Sequence, residues 1–122
     1  MSKRSIVLRK VGGFYQTFDD DALIISYFFC YKIINYKCGF PIGVIEKVTN
    51  VLEENMINYI IKQDQEVIKD FKTKNNYDKY LEKGKIKNKL DNRIEKIVKN
   101  LLELDQNKLN RVLDKIEQEL NM

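Results

Sequence analysis

Val11-Gly12-Gly13-Phe14-Tyr15-Gln16-Thr17-Phe18 joins a basic, apolar segment to an acidic one, and the rest of the chain is organised around it. Two adjacent glycines bend or bulge a strand, because without Cβ they reach backbone angles that other residues avoid. Two aromatics and an amide follow at once. A flat partner, such as a nucleobase, is expected to make its contact here.

Upstream, residues 5–10 read as a strand, with Ile6 and Leu8 on one side and Val7 and Arg9 on the other. Apolar residues on both sides predict an interior strand. Residues 14–18 are expected to leave it. Asp19, Asp20 and Asp21 then open a helix, where carboxylates meet free amides and the positive end of the helix dipole. Phe18, Ala22, Ile25 and Phe29 give that helix one apolar face.

Residues 31–36 are rich in aromatic and β-branched side chains and predict a strand. Residues 38–41 predict a short strand ended by Pro41, which lacks an N–H for ladder pairing. A second helix carries Val44, Val48, Val51 and Leu52 on one face and stops at Asn55, a residue that tolerates the left-handed conformation. Residues 56–62 and 66–72 predict a hairpin of two strands around Gln63-Asp64-Gln65. The fold class is therefore α/β (α+β): a small mixed sheet with packed helices over residues 1–72.

Beyond residue 72 the periodicity changes. Residues 75–82 predict a short helix stopped by Gly84. Ile86, Leu90, Ile94, Ile97, Leu101 and Leu104 recur at helical spacing, and Leu109, Leu113, Ile116 and Leu120 form a second stripe. The five-residue step between the stripes turns the apolar face by about 140° at ~3.6 residues per turn. With Asp105-Gln106-Asn107 at the step, a C-terminal helical hairpin is expected, the alternative being one long helix with a drifting stripe. Residues 73–122 thus form a basic connector and amphipathic helices that pack on the sheet domain or on a partner.

The formal net charge of +4 favours anionic partners without singling out DNA. No apolar run reaches the ~18 residues of a membrane span, and the N-terminus lacks the apolar stretch of a signal peptide. A cytoplasmic protein with reduced cysteines, Cys30 and Cys38, is expected.

Residues 5 to about 63 resemble the N-terminal mismatch-recognition domain of the MutS family of DNA mismatch repair proteins. That family shows an apolar strand, then Arg-x-Gly-Asp-Phe-Tyr-Glu-x-Phe, then an acidic helix start. This chain has Leu8-Arg9-Lys10-Val11-Gly12-Gly13-Phe14-Tyr15-Gln16-Thr17-Phe18-Asp19-Asp20-Asp21-Ala22. The family's Gly-(Val/Ile)-Pro, helix and strand ending in Glu-Gln are matched by Gly39-Phe40-Pro41, the helix that follows, and Ile60-Ile61-Lys62-Gln63. The resemblance implies a wedge. Phe14 would enter the minor groove and stack on a mispaired base, which Gln16 would contact. An apolar ring unstacks a base step for a few kcal/mol, and less where pairing is already weak.

The departures are specific. Gln16 stands where the family has a glutamate, so it bonds without charge. Gly13 stands for the motif aspartate, and no Gly-x-x-x-x-Gly-Lys-(Ser/Thr) stretch for an ATPase is present.

Each candidate has a plainer reading. Phe14 and Tyr15 either stack on bases or pack in the core. Lys3, Arg4, Arg9 and Lys10 either hold phosphates or line a solvated strand edge. Lys83, Lys85, Lys87 and Lys89 read first as a solvated face. Asp19–Asp21 read as helix capping rather than metal ligands. With no histidine in the chain, neither cysteine has the usual base for nucleophilic catalysis, so no enzyme activity and no cofactor are expected.

Two functions follow. One is a DNA-binding module for mismatched or distorted double-stranded DNA, with Phe14, Gln16, Arg9, Lys10, Lys3 and Arg4 as contacts. The other is a MutS-like interaction protein that forms a homodimer or binds a protein partner through residues 86–120. Neither involves a membrane.

Overall fold

A computed structural model describes residues 3–122. In chain order the elements are β1 (Ile6–Val11), β2 (Phe14–Phe18), α1 (Asp19–Phe29), β3 (Lys37–Pro41), a 3-10 turn (Ile42–Val44), α2 (Ile45–Glu54), β4 (Tyr59–Lys62), β5 (Val67–Lys69), α3 (Tyr77–Leu102) and α4 (Gln106–Glu119). The strands make one mixed sheet in the order β3-β2-β1-β4-β5. The α/β class is as expected, and so is the central place of β1, whose apolar residues on both faces call for neighbours on both sides.

β1 and β2 form an antiparallel hairpin with Val11 opposite Phe14. Gly12-Gly13 is therefore a two-residue turn, and residues 14–18 continue the sheet instead of leaving it. Gly12 has a φ of 60°, and Gly13 has no positive φ. A glycine at the first turn position is what a II′ hairpin requires.

Alternation along the strands places the core on one face. Ile6 and Leu8, Tyr15 and Thr17, Cys38 and Phe40, and Tyr59 and Ile61 are all buried. They meet Ala22, Ile24 and Ile25 of α1, Val48 and Leu52 of α2, and Tyr77 and Leu81 of α3. The hairpin register would next set Val7 against Phe18, but the ladder stops at Arg9 and Gln16. The Val7 N–H instead donates to the Asp21 carboxylate at 3.0 Å. Asp21 thus caps the central strand, and α1 has no side-chain N-cap of its own. The Tyr77 hydroxyl donates to the other Asp21 oxygen.

Three local expectations are corrected. Residues 31–36 are not a strand: Asn35 and Tyr36 both take positive φ, and a single bridge joins Ile34 to Lys37 across that tight turn. Left-handed backbone after α2 falls on Met56 (φ 53°), while Asn55 caps the helix by donating its side-chain N–H to the Val51 carbonyl. Gly84 does not stop a helix. It lies inside α3, where a Cβ would come within 2.7 Å of the Leu23 carbonyl oxygen, so the glycine permits close approach of α3 to α1.

The chain divides into two compact units, Met1–Asn88 and Lys89–Met122. The division falls inside α3 rather than near residue 72, because Tyr77 and Leu81 belong to the sheet's core. In the second unit the helix breaks before α4, whose N-cap Asp105 accepts the Lys108 N–H at 2.9 Å. Two helices, not one long one, carry the two stripes. Both cysteines are free. Among the described residues, no helix is long and apolar enough to cross a membrane.

Candidate nucleic-acid interface

β2 separates the two aromatics of the motif. Tyr15 is buried, its ring centroid 5.8 Å from that of Phe40 and its hydroxyl donating to Gln63 Oε1 at 2.7 Å. Phe14 points the other way and is 53% exposed. Gln16 and Phe18 follow Phe14 on the same face, at every second residue.

This second face of the sheet has no buried residue. Register fixes its neighbours. Phe14 lies between Val11 and Pro41, Gln16 between Arg9 and Gly39, and Phe18 beside Lys37. Arg9 has Lys62 on its other side. The result is a row of Phe14, Gln16 and Phe18 with cations on both flanks.

The cations differ in freedom. Arg9 is exposed and makes no ion pair among the described residues, and the same holds for Lys37. Lys10 is exposed at the hairpin tip but has the parity of the core face, opposite to Arg9. Lys3 is exposed ahead of β1. Arg4 is engaged: its guanidinium meets Asp20 at 2.8 Å and lies 4.5 Å from the centre of the Tyr77 ring. The hydrogen bond with Asp20 raises its pKa above the ordinary value. The Lys83–Lys89 run does not form one patch, because on a helix Lys83 and Lys87 share one side and Lys85 and Lys89 another.

Two hollows flank β2. One, of about 430 Å³, is lined by Arg4, Val7, Arg9, Phe18 and Asp19–Asp21. The other, of about 230 Å³, is lined by Gln16, Lys32, Ile34, Lys37, Cys38 and Gly39. Sequence reasoning set Phe18 on the apolar face of α1, whereas it ends β2 on the open face of the sheet, and it missed Lys32 and Lys37. Phe18 was legible, since reading residues 14–18 as a strand gives it the parity of Phe14. The two lysines reach the row through the pairing of β2 with β3 and the turn before it, which no local pattern announces.

Among the described residues no cluster of histidine, cysteine, aspartate and glutamate is placed to hold a metal ion. Burial pushes the Cys38 thiol up to about 12, so it carries no thiolate at neutral pH. Burial likewise raises the Tyr59 hydroxyl to about 12 and is the first cause of the raised pKa values of Asp21 and Tyr77.

Comparison with protein-family models, with curated proteins and with solved structures finds no match. The face itself presents two exposed rings, a half-buried amide between them, and cations without ion pairs among the described residues.

Proposed function

We propose that this chain is a small nucleic-acid-binding module resembling the MutS mismatch-recognition domain, acting without an ATPase in a reducing, cytoplasmic setting. Phe14 is the wedge, entering a mispaired or distorted duplex step, and Gln16 contacts the exposed base edge. Arg9 lies beside Gln16 for phosphate or base contact, while Lys10 adds charge at the tip and Lys3 at the other end of β1. Arg4 contributes less, since Asp20 already neutralises it. The observation that carries this reading is the exposure of Phe14 on one row with Gln16, whose strand neighbour is the unpaired Arg9, while Tyr15 is buried. An apolar ring held out in water on a row flanked further along by positive charge is matched by a partner that is both flat and anionic.

Fluorescence anisotropy at low salt tests it. Mismatched duplex is expected to bind more tightly than matched duplex of the same length, with both weakening as salt rises. Phe14→Ala is expected to remove the preference for the mismatch. Absence of binding to either duplex at low salt rejects the proposal.

A second reading has its own observation. Ile86, Leu90, Ile94, Ile97 and Val98 of α3 are 60%, 48%, 59%, 52% and 46% exposed. A stripe of this length invites a protein partner or a second copy. Light scattering of the intact chain and of an Ile94→Asp, Ile97→Asp variant separates the cases: a monomer in both leaves only a different protein as partner.

A further inference from the structure

The wedge at the hairpin tip leaves Phe18 unexplained. That ring is 40% exposed and lies on the same row as Phe14, four residues away, or ~13 Å along an extended strand. A duplex entered at one step uses one ring. Two rings on an open sheet face, with an amide between them, suit bases that are not stacked on each other, because every unpaired base offers a π-face.

The charges around the row are asymmetric. The hollow on the β1 side carries Asp19, Asp20 and Asp21 beside Arg4 and Arg9. The hollow on the β3 side carries Lys32 and Lys37 and no acid. Neither lysine makes an ion pair among the described residues. Lys37 stands directly opposite Phe18 in register, and Lys32 shares its hollow with Gln16. A phosphate backbone is repelled from the first side and attracted to the second. Bases extending from it then lie over β2, where Gln16 and the opposed Arg9 reach base edges.

We infer that the open face of the sheet holds an unpaired nucleic-acid strand, with Phe14 and Phe18 stacking bases and Lys32 and Lys37 holding its phosphates. The inference rests on the reading of Phe14 as a nucleic-acid contact and changes the ligand, from a distorted duplex step to a single-stranded segment.

The test uses the full chain with fluorescein-labelled oligo(dT) and oligo(U) of roughly 15 nucleotides, within the site sizes that such surfaces cover. Matched and mismatched duplexes serve as competitors. One or both single strands are expected to bind more tightly than matched duplex, and the comparison of the two tells DNA from RNA. Phe14→Ala and Phe18→Ala are each expected to weaken single-strand binding by roughly 5- to 150-fold. The double variant Lys32→Ala, Lys37→Ala should lower the slope of log affinity against log salt by about 1.4. Leu102→Ala, in the second unit, should leave all affinities unchanged. If mismatched duplex binds through Phe14 while single strands do not, the inference is overturned and the wedge stands; if Phe18→Ala leaves single-strand binding intact, the inference is overturned. If no nucleic acid binds, both fall. Far-UV circular dichroism of each variant confirms that the sheet is intact.

Discussion

The carboxylate of Asp21 receives the Val7 N–H on one oxygen and the Tyr77 hydroxyl on the other, tying β1, α1 and α3 together. Burial raises its pKa above 3.8 despite both hydrogen bonds, which pull the other way. The folded chain therefore binds this proton more tightly than the unfolded chain. The sign follows by linkage: the contribution of Asp21 to stability is full below about 3.8 and falls as pH rises through the folded value. Urea unfolding across the acid range is expected to show wild type losing stability relative to Asp21→Asn as pH increases from there. The other carboxylates are common to both proteins and cancel. A difference that does not change with pH would refute the raised pKa. Thr17 presents the opposite case, a hydroxyl buried in the core with no partner among the described residues. A buried polar group left unpaired costs about 1–3 kcal/mol, and valine has nearly the same shape. Thr17→Val is expected to raise stability by about 1 kcal/mol, read as an increase in Tm of about 4–8 °C for a unit of this size.

At the scale of elements, what the sequence made legible depended on whether the signal was local. β1, α1, α2 and the α4 stripe were legible because alternation and helical spacing are written within each segment. The hairpin turn was not, since a Gly-Gly pair serves a bulge, a bend or a II′ turn equally well, and only the partner strand decides among them. The same holds for residues 31–36, whose β-branched and aromatic content suits a strand but which find no neighbour to pair with beyond one bridge. Phe14 as an exposed residue rested on a family resemblance, whereas Lys32 and Lys37 needed the β2–β3 pairing itself. Gly84 shows how a local rule is overridden. Intrinsic propensity says that glycine weakens a helix by about 1 kcal/mol relative to alanine. Here the missing Cβ lets α3 approach the Leu23 backbone. A contact of 2.7 Å with a carbonyl oxygen cannot be relieved by rotating a side chain, so the clash outweighs the propensity gain. Gly84→Ala is expected to destabilise the sheet unit by about 1–3 kcal/mol in denaturant titration. A gain in stability would mean that α3 slides away at little cost.

At the scale of the molecule, every residue of the buried core among the described residues lies at or before Leu81. The second unit has none: Leu101, Leu104, Leu109, Val112, Leu113 and Ile116 are half-buried at most. A core supplies the hydrophobic stabilisation that offsets chain entropy, so the two units should behave differently when separated. Residues 1–88 are expected to unfold cooperatively, with a midpoint near that of the intact chain, and to keep Phe14-dependent binding. Residues 89–122 include the 14-residue α4, and isolated helices of about that length are marginal in water. The isolated segment should therefore show weak helicity by circular dichroism at low concentration, rising with concentration if its stripes pair with a second copy. The cut belongs at Asn88 rather than near Gly84, because α3 then continues a full turn beyond the Gly84–Leu23 contact instead of fraying at it. If residues 1–88 fail to fold while the intact chain does, the second unit supplies stability that its own burial does not account for, and the α3 stripe must be occupied when the protein is folded.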